Sequence, residues 1–222
     1  MSTATLEIAE VDYPESDGEP MAETGVHVRA MLLLRQALED FYRDRRDVFV
    51  STNQNWYWNE GDTGECLAPD VFVAIGVPDR PLSERGCFKA WEENRVVPAV
   101  VFEMASKSTW RDDLGKKYRK YSELGVREYF IFDPLGQYLV PRLQGFRLEG
   151  RIYQRLIPDG NDVFESELGF RLTGEHEMLR LIDATTGRLV LTKDEKLEEA
   201  EAKLAKLQAL LAQHNIPNGN GS

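Results

Sequence analysis

The sequence predicts an α/β (α+β) protein in which a central mixed β-sheet is flanked by helices and followed by β-hairpins and a short coiled-coil helix. Residues 98–134 have the pattern of strand, helix and strand, with an apolar run on each side of a segment that has helical spacing. After Pro134, short apolar runs alternate with Gly-containing turns, which is typical of hairpins. From Leu197 to Leu211, apolar residues recur at heptad spacing.

The N-terminal part of the chain predicts a flexible acidic lead, residues 1–20, followed by a helix. Residues 1–28 contain Asp and Glu but neither Lys nor Arg. Thr24 is placed to cap a helix that continues to about Arg46, and apolar residues along this stretch define its buried face. Glu23 stands at the start of this helix, where the helix dipole by itself already favours a carboxylate.

Two carboxylates stand beside apolar strands in the middle of the chain. Asp70 directly precedes the apolar run Val71 to Ile75, and Glu103 ends the apolar run that begins at Val100. Burying a carboxylate costs several kcal/mol unless it is paired or binds a metal. These positions therefore indicate a site rather than a plain core.

The helix predicted from Asp113 to Leu124 carries one lysine on its apolar side. At roughly 100° per residue, Leu114, Tyr118, Tyr121 and Leu124 fall within one arc. Lys117 lies inside this arc, whereas the neighbouring basic residues lie outside it. One interpretation is an active-site lysine; the other is a lysine at the edge of the apolar face that extends its ammonium back to water.

Together these residues are equipped for metal-assisted phosphodiester hydrolysis. Two carboxylates on adjacent strands bind a hard cation such as Mg²⁺ (or Mn²⁺) through oxygen. The carbonyl of Met104, which follows Glu103, is the next candidate ligand. A nearby ammonium can orient or deprotonate an attacking water and neutralise developing phosphate charge.

The order of these motifs resembles the Uma-two (Uma-type) family of restriction endonucleases, within the PD-(D/E)xK nuclease superfamily. The resemblance covers roughly residues 20–190, and its motifs are Pro69-Asp70, Val101 to Ser106, Ser108-Thr109, Asp113, Lys117, Tyr121, Gly125 to Tyr129 and Asp133-Pro134. His27 also matches a recurrent histidine of the family. The resemblance implies a restriction-endonuclease-like core.

By this resemblance Asp70 and Glu103 are the metal ligands, Glu23 is an accessory acid and Lys117 is the catalytic lysine. Ala105 stands where the strand lysine of (D/E)xK would be, and the family places its lysine on the following helix instead. Lys107, in the turn after the strand, is a weaker candidate for that role and fits a phosphate contact better.

Charge is distributed unevenly along the chain, and this distribution affects which partner the protein can bind. The net charge of −11 counts against nucleic-acid binding over the whole surface. A local basic patch nevertheless follows Glu103, and such a patch is sufficient for phosphate contacts. We therefore expect DNA as the partner. The residues expected to bind it are Lys107, Arg111, Lys116, Arg119, Lys120 and, at a strand edge, Gln54.

The remaining composition predicts a cytoplasmic protein. Cys66 and Cys87 lack metal-site spacing and suit a reducing compartment, and no apolar run reaches the length of a membrane span. We expect a nuclease-like domain over residues 21–190, a heptad helix over residues 193–214 and a disordered tail over residues 215–222. The heptad seam either joins two protomers, which is favoured, or packs on its own domain.

Alternatives to a DNA endonuclease remain at this point. The fold can persist in a catalytically inactive module for DNA binding or assembly, or in a coiled-coil adaptor that depends on residues 193–213. The residues themselves do not distinguish DNA from RNA. The set of Asp70, Glu103 and Lys117 favours an active nuclease over both alternatives.

Overall fold

A computed structural model of the chain describes residues 11–15 and 24–213. Glu23, the tail 215–222 and the lead 1–20 apart from residues 11–15 lie outside the described residues. Residues 11–15 contact the domain, because the carbonyl of Pro14 accepts hydrogen bonds from the side chains of Asn55 (2.9 Å) and Tyr57 (2.8 Å).

The strands of the described residues build one large sheet and two small ones. They are β1 Val48–Ser51, β2 Trp56–Tyr57, β3 Cys66–Leu67, β4 Val71–Ile75, β5 Phe88–Lys89, β6 Val100–Met104, β7 Glu128–Phe132, β8 Leu143–Glu149, β9 Ile152–Arg155, β10 Phe164–Glu165, β11 Phe170–Glu175 and β12 Met178–Asp183. The large sheet has the order β1-β4-β6-β7-β8-β9. Its β6–β7 pair is parallel and its other pairs are antiparallel. The sheet is therefore mixed, and the predicted fold class is confirmed.

One face of the large sheet is covered by helix α1, Gly25–Phe41, and by the antiparallel sheet β10-β11-β12. Thr24 caps α1 as predicted, since its hydroxyl accepts a hydrogen bond from the amide of His27 at 3.3 Å. Ala30, Leu34 and Leu38 recur every four residues and are buried. The helix ends at Phe41 rather than near Arg46, because the charged residues 43–47 are exposed and offer no apolar surface to bury.

The opposite face carries a second helical segment and the small sheet β3-β2-β5. The segment consists of helix α2, Trp110–Asp112, a π-helical turn, Asp113–Lys117, and helix α3, Tyr118–Leu124. We call residues 110–124 the basic helix. It ends at Gly125, whose φ of 88° is the left-handed C-cap conformation expected from the sequence. The predicted strand–helix–strand unit is thus β6, the basic helix and β7.

Short 3₁₀ turns, Leu82–Glu84 and Ala90–Glu92, lie on either side of β5. The last described element is helix α4, Lys193–Gln213. Its N-terminal turn is fixed to the domain by ion pairs of Glu195 with Arg180 (2.7 Å) and of Lys196 with Asp40 (2.6 Å). No helix among the described residues has both the length and the apolar character that crossing a membrane requires.

Candidate active site

Asp70 and Glu103 come from adjacent antiparallel strands of the large sheet. Val71 of β4 pairs with Phe102 of β6, so extending this register by one pair places Asp70 opposite Glu103. The amide of Met104 donates a hydrogen bond of 2.6 Å to Oδ2 of Asp70, which anchors the first carboxylate beside the second. The structure therefore brings together the two acids that the sequence predicted as a pair.

Glu103 is almost fully buried, and both of its carboxylate oxygens have partners on the basic helix. Oε1 accepts a 2.6 Å hydrogen bond from the hydroxyl of Tyr121, and Oε2 lies 2.8 Å from Nζ of Lys117. Nζ of Lys117 also lies 2.9 Å from Oδ1 of Asp113, which is itself fully buried. Lys117 thus bridges a carboxylate of the sheet and a carboxylate of its own helix.

The π-helical turn explains how Lys117 reaches this position. A π turn inserts about one extra residue per turn and therefore rotates the side chains that precede it. Asp113 faces the sheet, while Leu114, which the regular helical arc placed inside, is 37% exposed. The prediction for Leu114 is wrong for this reason. The predicted inward direction of Lys117 and Tyr121 is confirmed, because Tyr121 lies in the regular helix after the turn and Lys117 contacts Glu103 one turn before it.

Burial controls the protonation of this cluster. It raises the pKa of Glu103 to about 8; the Lys117 ammonium opposes this rise, and the Asp70 and Asp113 carboxylates add to it. Burial likewise raises the pKa of Asp113, again against the effect of Lys117. For Lys117, burial alone would lower the pKa, but the nearby carboxylates outweigh it and raise the pKa overall. The cluster contains more carboxyl groups than one ammonium could balance if all of them were ionised, and burial therefore favours their protonated forms.

Two contributing residues were not assigned roles from the sequence. Nε2 of His27, in the first turn of α1, lies 3.3 Å from Oδ2 of Asp70, and this histidine is buried. Asp113 joins the cluster through Lys117. The spacing Asp113-x-x-x-Lys117 was a visible signal, although i,i+4 ion pairs are frequent on exposed helix surfaces as well.

The donor chemistry at this point fits a hard divalent cation. Asp70, Glu103 and the carbonyl of Met104 would supply only oxygen donors, and a bound cation would compensate the carboxylate charge that burial disfavours. In their present side-chain positions, no three His, Cys, Asp or Glu residues of ranges 11–15 and 24–213 are grouped to hold a metal. A bound cation would therefore have two carboxylates and one carbonyl as its protein ligands rather than three carboxylates.

The candidate DNA-binding residues separate into two groups. Lys107, Arg111, Lys116 and Arg119 are exposed beside the cluster. Lys120 is half-buried, with Nζ 3.2 Å from Oε2 of Glu65. The side chain of Gln54, in contrast, donates to the carbonyls of Arg85 and Gly86 and accepts from Ser51, so it fastens the loop before β5. Glu23 lies outside the described residues.

Comparison with known proteins agrees with the motif pattern. The family model of Uma2, described as "Putative restriction endonuclease", matches residues 5–178. A crystal structure of "a putative nuclease belonging to DUF820 from Anabaena variabilis ATCC 29413" is 14% identical, with a TM-score of 0.44, and the match covers 63% of this chain and 74% of that chain. No curated protein matches the chain. Because the family match spans most of the sequence, the chain belongs to the Uma2 family of restriction-endonuclease-type proteins.

Proposed function

We propose that this protein is a metal-dependent endonuclease that hydrolyses phosphodiester bonds of DNA. The observation that carries the proposal is the position of Lys117, whose ammonium lies 2.8 Å from Glu103 on the strand next to Asp70. Carboxylates on adjacent strands, with a lysine in contact with one of them, are the groups that phosphodiester hydrolysis needs for holding a cation and for neutralising phosphate charge.

Each residue of the cluster has a defined task in this reaction. Asp70, Glu103 and the Met104 carbonyl would hold Mg²⁺ or Mn²⁺, which when bound polarises the phosphate and lowers the pKa of a water ligand. Lys117 carries its proton, since neighbouring carboxylates raise its pKa, so it donates hydrogen bonds to the phosphate or to the attacking water. The hydroxyl of Tyr121 fixes the orientation of Glu103.

The substrate follows from the surface around the cluster. Arg111, Lys116 and Arg119 are exposed on the same helix that supplies Lys117, so phosphates bound by them lie next to the buried acids. The net charge of −11 repels DNA elsewhere on the molecule, which confines binding to this patch. Binding should therefore weaken steeply as salt is added.

Cleavage of a supercoiled plasmid by the purified protein tests the reaction. We expect nicking or linearisation with Mg²⁺ or Mn²⁺ and none with a chelator. Asp70→Asn removes one ligand charge with little change in shape and should reduce the rate by more than the roughly 10- to 100-fold that loss of an outer-shell partner costs. Binding of DNA without cleavage under all metal conditions would instead indicate the inactive DNA-binding module.

Substitution of single lysines tests the position of the ammonium. Lys117→Ala should abolish cleavage and leave most DNA binding intact, because its side chain points to Glu103 rather than to solvent. Lys116→Ala is the matched control; it should weaken binding in a salt-dependent way and permit cleavage once DNA is bound. Partial rescue of Lys117→Ala by Ala105→Lys would place the ammonium where the superfamily has it. Wild-type cleavage by Lys117→Ala would make Lys107 the residue to examine.

The proposed assembly is a homodimer formed through α4. Beyond its first turn the helix exposes its apolar residues, with Leu197, Leu204 and Leu207 each more than half exposed. Their heptad spacing fits a partner helix of the same kind. A dimer would bring two active sites to one DNA molecule.

A further inference from the structure

A cavity of about 400 Å³ opens beside the C-terminal end of the basic helix. This volume is within the range of pockets that hold small organic ligands. Its lining combines aromatic and aliphatic walls, Trp58, Trp91, Val97 and Leu124, with polar groups of Asn59 and Arg95. None of the residues assigned to the reaction lines it, so the cavity requires a separate explanation.

The aromatic walls of this cavity are held in place by their neighbours. The ring of Trp58 packs edge-on against Trp56 with 5.6 Å between centroids, and Nζ of Lys120 lies 4.8 Å from the centroid of the Trp58 ring. The Trp91 ring lies 5.0 Å from the ring of Tyr13. Rings fixed in this way offer a stacking surface without the entropic cost of ordering them on binding.

The basic helix connects the cavity to the catalytic cluster. Leu124, which lines the cavity, follows Lys117 by about two helical turns, or roughly 10 Å along the axis. Lys120 lies between them in the helix, with its Nζ over one face of the Trp58 ring. Since successive nucleotides of one duplex strand rise by about 3.4 Å, roughly 10 Å corresponds to a few nucleotides of a bound strand.

We infer that the cavity binds one unstacked base of the substrate strand, which stacks on Trp58 and Trp91 while Lys120 and Arg95 contact the adjoining phosphates. The inference rests on the proposed function, because it takes the substrate to be a nucleic acid. Aromatic platforms next to cationic groups are the means by which proteins hold single-stranded bases. The amide of Asn59 and the carboxylate of Glu60 stand at the lining to hydrogen-bond the base edge.

Binding of single-stranded oligonucleotides to the full chain, in chelator so that no cleavage occurs, tests the inference. A 2-aminopurine placed at successive positions should change its fluorescence on binding at one position only. An abasic site at that position should weaken binding about ten-fold, the scale of one base–aromatic stack, and abasic sites elsewhere should have little effect. A uniform response at all positions would overturn the inference.

Two variants connect this response to the cavity. Trp58→Ala removes one stacking wall, and Leu124→Trp replaces a lining residue with a larger apolar one and so narrows the cavity; both should abolish the position-specific response. Leu82→Trp is the control, because Leu82 is exposed on a 3₁₀ turn outside the cavity and the basic helix. An unchanged response in Leu124→Trp would place the base elsewhere.

The outcomes also separate this inference from the proposed function. Cleavage together with a uniform 2-aminopurine response would support the nuclease function and refute binding of a base in the cavity. A position-specific response that Leu124→Trp abolishes, without cleavage under any metal condition, would support binding of a base in the cavity and refute the nuclease function. Absence of any oligonucleotide binding would overturn both.

Discussion

Lys117 makes short contacts with two buried carboxylates, Glu103 and Asp113, that belong to different elements. Fold stability alone does not require such a cluster, because apolar residues of similar volume are often equally or more stabilising than buried ion pairs. Of these two carboxylates, only Asp113 belongs to the same helix as Lys117, so it can fix the ammonium from within that helix. We therefore regard Asp113 as a positioning residue that holds Lys117 toward Glu103.

Asp113→Asn should separate activity from stability. The pKa of Asp113 is raised by burial, so its ionised form costs free energy in the folded state, and a neutral amide of equal size removes that cost. We expect an unchanged or higher free energy of unfolding together with cleavage reduced about 10- to 100-fold, the usual effect of losing a supporting partner. Denaturant titration and plasmid cleavage measure the two quantities.

Asp112→Asn is the matched control for this change. It removes the same charge from the neighbouring position, but Asp112 is exposed, so cleavage and stability should both remain near wild type. A parallel loss of activity in the two variants would show that the general charge of the helix matters, and the positioning role of Asp113 would be refuted.

At the residue scale, the sequence alone was enough to identify those site residues that stand out by their predicted burial. A carboxylate such as Asp70 or Glu103 beside a run of buried apolar residues is conspicuous without coordinates. His27 could not be assigned a partner in the same way, because its contact with Asp70 joins positions that are distant in the chain. Local periodicity contains no information on such a pair.

At the scale of elements, the strand–helix–strand unit was predictable, and the π turn inside it was not. Apolar runs and Gly125 mark where β6, the basic helix and β7 begin and end. The π turn depends on burying Asp113 against Lys117 instead of burying Leu114, which is a tertiary preference that a regular 100° spacing cannot represent. Such turns are often found at functional sites.

Helix α4 leads to a prediction about assembly. Leu204→Glu together with Leu207→Glu should convert a dimer to a monomer, because these residues are 56% and 58% exposed and occupy the heptad seam. Light scattering coupled to size exclusion measures the mass of each species. The first turn of α4, which Glu195 and Lys196 fix to the domain, is unchanged, so the fold should persist.

Ala205→Glu together with Lys206→Glu serves as the control for that experiment. These positions lie on the same helix outside the seam, so the change in charge is at least as large as in the Leu variant while the leucines remain. The control should stay dimeric. A wild-type protein that is already monomeric, or a double Leu variant that remains dimeric, would exclude α4 as the interface.

For the whole molecule, the large sheet separates two apolar cores, and Glu103 with its partners Lys117 and Tyr121 lies in only one of them. Val100, Phe102 and Met104 of β6 pack toward α1, whereas Val101 and Ala105 pack toward the basic helix. Glu103 shares the second face and carries its charge into that core. The side of β6 that faces α1 is apolar throughout, while the other side has a carboxylate among its apolar residues.

The pH dependence of stability should report this arrangement. Below Glu103's ordinary pKa of 4.5, both the folded and the unfolded states are protonated at this residue, and its contribution to stability is complete. Between that value and the folded-state pKa of about 8, the unfolded state loses the proton and the folded state keeps it, so the free energy of unfolding falls as pH rises. Above about pH 8 the contribution is lost.

Glu103→Gln isolates this contribution from the repulsion that a net charge of −11 also creates at high pH. In chelator, denaturant titrations from pH 4 to 9 should show a shallower loss of stability for the variant than for wild type, with the difference confined to the window between about 4.5 and 8. If Asp70 and Glu103 hold Mg²⁺, adding the ion should stabilise wild type more at pH 9 than at pH 6, because binding at lower pH must first displace the Glu103 proton. Parallel pH profiles for wild type and variant would show that Glu103 ionises normally in the folded protein, and burial would then not be what controls its protonation.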